Sequence, residues 1–414
     1  MPSESPTKVF RVAIIGGGMC GLACAVGLAR RGIVAHIFEA APKFDEVGAG
    51  VGLGPNALRA LQGIGVLDAV LAQVDDAERT ARQMLYVSGH GEHEEVYDYD
   101  YSSQFTQEDN GIGIYRPTFL AAVLPLVDPS TTHFNKRCTS ISTSATGAHV
   151  IHFADGTTHE TELVIGADGI KSATRNAVVG DRKVLQFTNS VADGVKTDLS
   201  KRLLCFVGID KHIITFPIKS GKIINIVAFA TNSAVPIGSV DVPGPWVESV
   251  SQQELLDEYA GWGADPLRML RRLTAPSKWS IHALAPLDTF VRGRITLVGD
   301  AAHAMPPHLG SGVGQGFEDV LVLCELLAHP ATRLANLEAV LKAYDAVRQP
   351  RANMVLERSF RAGVIYESYG KPGYLAADMA GHLAGIWEPI WRHDLDGDVA
   401  SAIASLTQHS FAES

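Results

Sequence analysis

The amino-acid sequence predicts an α/β fold: a discontinuous Rossmann-like domain with an inserted, mostly antiparallel β-sheet and a helical C-terminal segment. Three observations support this prediction. A short apolar run near the N-terminus leads into a glycine-rich turn and then a helical pattern. Two later apolar runs, far along the chain, have the character of strands that are buried on both faces. Between them lie alternating β-type runs that are typical of antiparallel strands.

The N-terminal unit is a strand, a turn, a helix and a second strand. Phe10 to Ile15 forms the first apolar run, and three consecutive glycines end it. Met19 to Arg31 then favours a helix, and Val34 to Phe38 a second short strand that ends at Glu39. Together these segments form one βαβ unit of the kind that begins a parallel sheet.

Later segments repeat both strand types. Leu163 to Ile165 and Ile295 to Val298 are predicted buried strands, each followed by glycine. Lys211 to Pro217 and Lys222 to Ala230 are predicted to form an antiparallel pair across a Ser-Gly turn. The segments with the α/β pattern are therefore separated in the sequence by segments that are predicted to form an antiparallel sheet.

The last part of the chain is predicted to be helical. Phe317 to Leu327 and Leu337 to Val347 have a helical pattern, and Pro350 is expected to interrupt the last long helix. The predicted parts are residues 1–79, 111–183 and 285–351 for the discontinuous domain, 80–110 and 184–284 for the inserted sheet, and 352–414 for the helical C-terminal segment.

Composition excludes several classes of protein. The 414 residues are 46% hydrophobic and 19% charged, which is too apolar for a disordered chain. Lys and Arg number 35 against 45 Asp and Glu, a net charge of −10 without a basic run, so nucleic acid is not an expected partner. The five scattered cysteines form no Cys-x-x-Cys pair and no zinc-spaced cluster, which predicts no metal site and a reducing, cytoplasmic location. Val12 to Ala29 lacks charge but contains five glycines, so no membrane span is predicted.

The glycine-rich turn carries the first chemical signal. Gly16, Gly18 and Gly21 fit Gly-x-Gly-x-x-Gly directly between a strand and a helix. The first glycine permits the tight turn, the second lets a pyrophosphate approach the backbone, and the third allows close packing of helix on strand. Glu39, at the end of the next strand, can accept hydrogen bonds from the hydroxyls of an adenosine ribose. A dinucleotide site is therefore expected, although this motif alone does not separate NAD from FAD.

Two further motifs identify a family. Gly-Ala-Asp-Gly at 166–169 and Gly-Asp-Ala-Ala-His at 299–303 follow the glycine motif in order, each with an acid just beyond a predicted strand. The ordered set resembles the single-component FAD-dependent aromatic-ring monooxygenases, which are similar to para-hydroxybenzoate hydroxylase. The segments 38–61, 163–175, 212–229, 299–319 and 343–352 are similar to the salicylate hydroxylases of this family. The resemblance covers most of the chain, but only weakly the C-terminal sixty residues.

The resemblance implies a set of FAD contacts. Glu39 would bind the adenosine ribose, Ala49 would lie along the FAD, and Arg116 would contact the cofactor. Asp168 lies in the motif associated with FAD and with the passing nicotinamide nucleotide, or is an ordinary cap of its strand end. Asp300 would hold a ribityl hydroxyl.

The loop after Asp300 supplies the expected reaction site. A helix is predicted to begin near Gln315, so that its positive end would lie near the flavin and stabilise the anionic reduced form, and the resemblance implies that Gly312 and Val313, just before it, contact the cofactor. His308, between Pro307 and this helix, matches the histidine placed near the phenol in salicylate hydroxylases and is the expected catalytic residue. A neutral imidazole can take the phenolic proton, which activates the ring carbon for attack. A loop histidine that only bonds backbone or water is the alternative, and His303 is interpreted as structural.

The implied reaction consumes NADH or NADPH and O2, and transfers a hydroxyl group from a flavin C4a-hydroperoxide to a small aromatic acid. For salicylate the product is catechol, with loss of CO2. Alternatives are hydroxylation of another aromatic or secondary-metabolite substrate, and an impaired homologue that acts as an NADH oxidase. The second alternative is motivated by residues 187–206, which lack the Ala-Tyr-Arg-Gly motif of the relatives.

Two features stay open at the level of sequence. Asn232-Ser233 stands where a basic residue is expected near the substrate entrance, so Arg82 and Arg202 are the candidate partners of a substrate carboxylate. Only one dinucleotide motif is present, which fits transient docking of the nicotinamide nucleotide but does not separate NADH from NADPH, and the chain is expected to be a monomer or a homodimer.

Overall fold

The computed structural model describes residues 10–44, 50–74, 84–99, 111–181, 185–195, 203–218, 223–235 and 245–412. The described part is a mixed α/β protein with four sheets and a helical C-terminal segment, as predicted. The strands are β1 (Val12–Ile15), β2 (Ala35–Phe38), β3 (Gly50–Leu53), β4 (Met84–Ser88), β5 (Glu95–Tyr99), β6 (Ile112–Tyr115), β7 (Thr132–His133), β8 (Cys138–Thr143), β9 (His149–Phe153), β10 (Thr158–Thr161), β11 (Leu163–Gly166), β12 (Leu185–Val195), β13 (Leu203–Gly208), β14 (Lys211–Ile218), β15 (Ile223–Ala230), β16 (Val247–Ser249), β17 (Ser277–Ala283), β18 (Val291–Arg292) and β19 (Ile295–Leu297).

Helices cover the sheets and form the end of the chain. The helices are α1 (Met19–Ala29), α2 (Pro55–Ile64), α3 (Leu67–Leu71), α4 (Arg116–Val123), α5 (Ala173–Val179), α6 (Gln252–Glu258), α7 (Ala264–Leu270), α8 (Asp300–His303), α9 (Gly312–Ala328), α10 (Leu337–Tyr366), α11 (Ala376–Leu383), α12 (Glu388–Trp391) and α13 (Leu395–Ala412). Among the residues described, no helix is long and apolar enough to cross a membrane.

The first sheet is the parallel sheet that the sequence predicts. Its order is β18-β19-β11-β1-β2-β7, and only the pair of β18 with β19 is antiparallel. Because β1, β11 and β19 run in parallel, their carboxyl ends meet at one edge of the sheet. The glycine turn after β1, Asp168 after β11 and Asp300 after β19 therefore lie at the same edge.

The second sheet has eight strands in the order β16-β17-β12-β15-β14-β13-β4-β5. All its pairs are antiparallel except β13 with β4. Since side chains alternate across a sheet, one face packs Ile213 and Ile226 against α6 and α7. The other face turns Ile214 and Phe229 toward α10 and the helices after it.

Pro350 does not interrupt the last long helix, contrary to expectation. Helix α10, which is 30 residues long, runs through it without a break. The prolyl ring removes one backbone hydrogen bond, but side chains on both sides of it are anchored. Arg348 and Arg351 both bind the buried carboxylate of Glu318 on α9. Tertiary contacts of this kind hold the turns on either side of the proline in place.

Candidate active site

The glycine turn has the geometry of a dinucleotide site. Gly16 adopts φ +102°, and a Cβ there would lie 2.4 Å from the carbonyl oxygen of Ala167. A Cβ on Gly21 would lie 2.0 Å from the carbonyl oxygen of Gly16. Gly18, in contrast, faces space in which a Cβ would meet no atom within 4 Å. The first and third glycines are therefore required by the chain itself, whereas the second borders room for a ligand.

Glu39 lies directly beside this turn. Its Oε2 accepts a hydrogen bond of 2.7 Å from the backbone N–H of Gly17, and its Oε1 accepts one of 2.7 Å from that of Ala41. Each carboxylate oxygen has further lone pairs. The side chain is thus fixed in orientation and can still accept hydrogen bonds from a neighbouring diol.

Asp168 is occupied by its own loop. Its Oδ1 accepts a bond of 2.5 Å from the Ser172 hydroxyl, and its Oδ2 accepts bonds from the backbone N–H and hydroxyl of Thr174 at 3.0 and 3.1 Å. The Ser172 hydroxyl in turn accepts from the N–H of Arg175 and caps α5. These contacts are those of a structural cap at the edge where the cofactor motifs meet.

A cavity of about 360 Å³ opens between the eight-stranded sheet, the β3–β6 pair and the C-terminal helices. Asp300, at the start of α8, has an exposed side chain that lines it. Gly312 and Val313 also line it and form the first turn of α9, where backbone N–H groups lack partners within the helix. The apolar side chains among the described lining residues are Val51, Leu53, Met84, Ile112, Leu203, Ile214, Phe216, Val227, Phe229, Met305, Leu309, Val313, Trp387 and Trp391.

His308 lies in the wall of this cavity and is buried. Burial, together with the neighbouring His212, holds the pKa of its imidazole well below the ordinary value of 6.5. Tyr366 fixes the loop by donating a hydrogen bond of 3.1 Å to the backbone carbonyl of His308. Within the described part of the chain, Nδ1 of His308 has no hydrogen-bond partner. The structure therefore presents a neutral imidazole with a spare ring nitrogen beside an apolar cavity.

The predicted cofactor residues also include Ala49 and Arg116. Ala49 falls outside the described residues; the cavity wall begins at the next residue, Gly50. Arg116 starts α4 and is not among the residues lining the cavity. It directly follows Tyr115, which pairs with Gly50. Arg116 is therefore close to the cavity wall along the β3–β6 pair.

Asn232-Ser233, a predicted substrate-entrance feature, is not among the described residues that line the cavity. Ser233 is exposed and donates a hydrogen bond of 2.7 Å to Asp210. Arg82 and Arg202 lie outside the described residues, as does the stretch 196–202 within the altered segment. His303, interpreted as structural, is buried with Nε2 2.6 Å from Asp319. In the parts of the chain that are described, no group of three or more His, Cys, Asp or Glu is placed to hold a metal.

Sequence reasoning missed His212. Its ring is buried, stacks on Phe229 at 4.3 Å between centroids, and lies 5.2 Å from the ring of His308. Its Nδ1 is 3.1 Å from Oε1 of Glu367, which is also buried. The alternation of β14 could have indicated it, because His212 shares a strand face with Ile214 and Phe216, both of which line the cavity.

Sequence reasoning also missed the two tryptophans of the C-terminal segment. Trp387 and Trp391 line the cavity, and their rings stack with centroids 5.7 Å apart. Both lie in the segment that the family resemblance covers weakly, and no motif marks them. A segment expected to be a helical cap therefore supplies one wall of the site.

Comparisons with known proteins agree with this geometry. Residues 9–359 match the family model described as an FAD binding domain. The chain is 36% identical to a salicylate hydroxylase of Pseudomonas putida over 96% of this chain and 95% of that protein. It is 31% identical to a 6-methylsalicylate 1-monooxygenase of Aspergillus terreus over 93% of this chain and 88% of the relative.

A solved structure is similar over the whole fold. A salicylate hydroxylase in complex with its substrate superposes with a TM-score of 0.84 at 31% identity, covering 97% of this chain and 98% of that one. The chain therefore belongs to the FAD-binding-domain family and is an FAD-dependent aromatic monooxygenase that uses NAD(P)H and O2.

Proposed function

We propose that this enzyme hydroxylates a phenolic aromatic acid, and that salicylate, converted into catechol with loss of CO2, is its substrate. The observation that carries the proposal is the buried, neutral His308 in an apolar cavity beside the first turn of α9. The 36% identity to a salicylate hydroxylase, over 96% of the chain, supports the choice of salicylate.

The described residues fit FAD. We assign its pyrophosphate to the turn of Gly16, Gly18 and Gly21, where open space faces the middle glycine. Glu39 is oriented to accept hydrogen bonds from the adenosine ribose. Asp300 would accept a bond from the ribityl chain at the cavity rim. When bound, FAD supplies the electron transfer from NAD(P)H and the activation of O2.

Three further features would contribute to the cofactor site. The N–H groups of Gly312 and Val313 would face the pyrimidine edge of the flavin and favour negative charge there. We assign Arg116 to the cofactor's phosphates through the β3–β6 pair, since a guanidinium pairs well with phosphate oxygens. Asp168 would act through its loop, which it holds by three hydrogen bonds at the edge of the parallel sheet.

His308 would move the proton. A phenol in the cavity would donate its hydroxyl proton to an imidazole nitrogen of His308, which leaves a phenolate with more electron density on its ortho and para carbons. Because its pKa is lowered, this imidazole is neutral at ordinary pH and can accept that proton. Aromatic and aliphatic walls such as Phe216 and Phe229 exclude water and hold the ring by its faces.

The carboxylate of the substrate has no assigned partner. Among the described lining residues none is Lys or Arg, so Arg82 and Arg202 stay the candidates. A less polar phenol, or a substituted ring acid, is therefore the second candidate substrate, and the apolar walls favour it. NADH is the proposed electron donor, with NADPH as its alternative. The five cysteines, all within the described residues, form no disulfide with one another, which supports the proposed cytoplasmic location.

The experiment is NAD(P)H oxidation by the FAD-loaded protein with salicylate, 6-methylsalicylate, other hydroxybenzoates and simple phenols. Product and hydrogen peroxide are quantified in the same vessel, with NADH and NADPH in parallel. Salicylate-stimulated oxidation with nearly equal catechol supports the proposal. Hydroxylation of another ring alone rejects salicylate, and stimulated oxidation that yields only peroxide would identify the impaired homologue.

A further inference from the structure

Four charged side chains are buried together behind the first turn of α9. Glu318 and Asp319 belong to α9, and Arg348 and Arg351 belong to α10; none is more than 5% exposed. We call them the buried charge cluster. Arg348 binds both carboxylates, with Nη1 2.8 Å from Glu318 and Nε 2.9 Å from Asp319. Arg351 binds Glu318 through Nε and Nη2, both at 3.1 Å.

The carboxylates in the cluster are charged. Burial alone would raise the pKa of Glu318, but Arg348 and Arg351 outweigh it and lower that pKa to about 2. Removing one partner from such a cluster leaves a buried charge without compensation, which is costly. The cluster is therefore a rigid link between α9 and α10.

One half of the cluster supports the edge that we assign to the flavin. Oδ2 of Asp319 accepts a hydrogen bond of 2.9 Å from the backbone N–H of Gly299, directly before Asp300. Nη2 of Arg348 donates to the backbone carbonyl of Gln315, in the first turns of α9, at 3.2 Å. Arg348 and Asp319 thus hold two neighbouring segments of the cavity wall.

The other half reaches the wall formed by the C-terminal helices. Nη1 of Arg351 donates a bond of 2.8 Å to the carbonyl of Pro389, and its Nη2 donates one of 2.9 Å to that of Ile390. These two residues lie between Trp387 and Trp391, which line the cavity. Arg351 therefore contacts α9 and the tryptophan wall with a single planar group.

We propose that Arg351 is a positioning residue for hydroxylation, which fixes the Trp387–Trp391 wall relative to the first turn of α9. The proposal rests on the proposed function, because it assigns the substrate ring to the space between these two walls. A guanidinium suits this task, since its planar fork serves a carboxylate and two carbonyls at once, which an ammonium group does not. By joining the two walls, Arg351 would keep the distance between the substrate ring and helix α9 constant.

The test compares Arg351→Met and Arg351→Lys with Arg358→Met. Arg358 is a matched control because it lies on the same helix and donates to a carbonyl of the same C-terminal segment, that of Ile386 at 3.4 Å, without contacting Glu318. The FAD-loaded variants are titrated with salicylate in the absence of NADH, and binding is measured from the change in flavin absorbance. Product per NADH consumed, KM and kcat are measured with the best substrate of the panel.

For Arg351→Met we expect the salicylate Kd and the KM to rise about tenfold, below the roughly hundredfold cost that a 1 Å displacement can have. Product per NADH should fall by about half or more, because a loosened site lets oxygen activation proceed without hydroxylation. The FAD Kd should stay within about threefold of the native value, because the segments that we assign to the flavin are bonded by Asp319 and Arg348 and not by Arg351. The values for Arg351→Lys should lie between those of Arg351→Met and those of the native protein. Arg358→Met should have the native values.

Near-ultraviolet circular dichroism of the FAD-loaded protein gives a readout without any substrate. The stacked pair of Trp387 and Trp391 should change its signal in Arg351→Met and keep it in Arg358→Met. The proposal would be overturned if Arg351→Met and Arg358→Met gave the same spectra and kinetic constants. It would also be overturned if Arg351→Met kept both the native spectrum and the native amount of product per NADH. If Arg351→Met does not fold, Arg351→Lys serves the same comparison. A native protein that no aromatic compound stimulates would reject the proposed function, while the spectra still decide the role of Arg351.

Discussion

The two ends of the proposed flavin site are built in opposite ways. At the adenosine end, the contacts come from one βαβ unit: Gly16, Gly18 and Gly21 form the turn, and Glu39 bonds Gly17 and Ala41. At the reaction end, the cavity is lined by segments that run from Gly50 to Trp391 and include the β3–β6 pair, the eight-stranded sheet and the C-terminal helices.

This difference separates two kinds of requirement. The adenosine end depends on backbone shape, which a few small residues set within about thirty positions of each other. The reaction end depends on the distance between elements that are remote in sequence, and buried ionic and aromatic contacts hold that distance. Substitutions at one end are therefore expected to leave the other end largely intact, and the following predictions test that separation.

The largest effect is expected for His308→Ala. Removal of the proton acceptor should lower product formation by about 10²–10⁴-fold, the usual contribution of general acid–base catalysis. FAD affinity should stay nearly native, because His308 is remote from the glycine turn. Product formation and FAD binding measured side by side check this, with the exposed His90→Ala as control. A parallel loss of FAD binding would break the comparison.

Gly18→Ala should act at the other end. The added methyl group meets no atom of the chain within 4 Å, so folding should be unaffected. It would occupy space assigned to the pyrophosphate, and FAD affinity should fall by about 10–100-fold, as for the loss of one or two charged hydrogen bonds. Flavin fluorescence titration measures the Kd. Gly381→Ala, also with open space at its Cβ, is the control and should bind FAD as the native protein does.

Glu39→Gln should weaken FAD binding by about tenfold. The amide cannot accept from Gly17, Ala41 and the ribose as a carboxylate does, so one charge-assisted bond is weakened or lost. With saturating FAD, kcat and product per NADH should be native. An unchanged FAD affinity would show that the Glu39 carboxylate stabilises only the glycine turn. A lowered kcat at saturating FAD would contradict the separation of the two ends.

The smallest effect is expected from pH. Burial lowers the pKa of His308, so its imidazole should keep more of its neutral form at pH 6 than an ordinary histidine does, and kcat/KM should fall by less than about fourfold between pH 7.5 and 6. An ordinary histidine with pKa 6.5 would lose roughly three-quarters of its neutral form over that range. Because the unfolded chain binds this proton more readily, the free energy of unfolding should fall as the pH drops below 6.5. A pH profile of kcat/KM with an acidic limb near 6.5 would contradict the assigned environment.

Much of the nucleotide half could be predicted from the sequence. The strands at Val12–Ile15, Leu163–Gly166 and Ile295–Leu297 and the helix after the glycine turn are within a few residues of expectation. Their signals are local, since apolar runs and glycine positions carry the periodicity and the steric need within one element. The mostly antiparallel second sheet is confirmed for the same reason.

The substrate half could be predicted only in part. His308 was found because a proline-glycine loop and a family motif surround it, and the structure places it in the cavity wall. His212 has a partner, Glu367, that is 155 positions away, and Trp387 lies in a stretch without a motif. Pro350 pointed to a break in the helix, but contacts of Arg348 and Arg351 with α9 keep the helix continuous.

The sequence by itself determined the parallel-sheet edge, the dinucleotide turn and the family to which the chain belongs. These depend on sterics and hydrogen bonds between residues that are close in the chain. Only the tertiary structure decided which side chains surround the substrate, how the tryptophan wall is attached, and why His308 is neutral. Those properties arise from burial and from pairing between segments that are remote in sequence. A local sequence pattern does not indicate which distant segment will cover a charged or titratable side chain and exclude water from it.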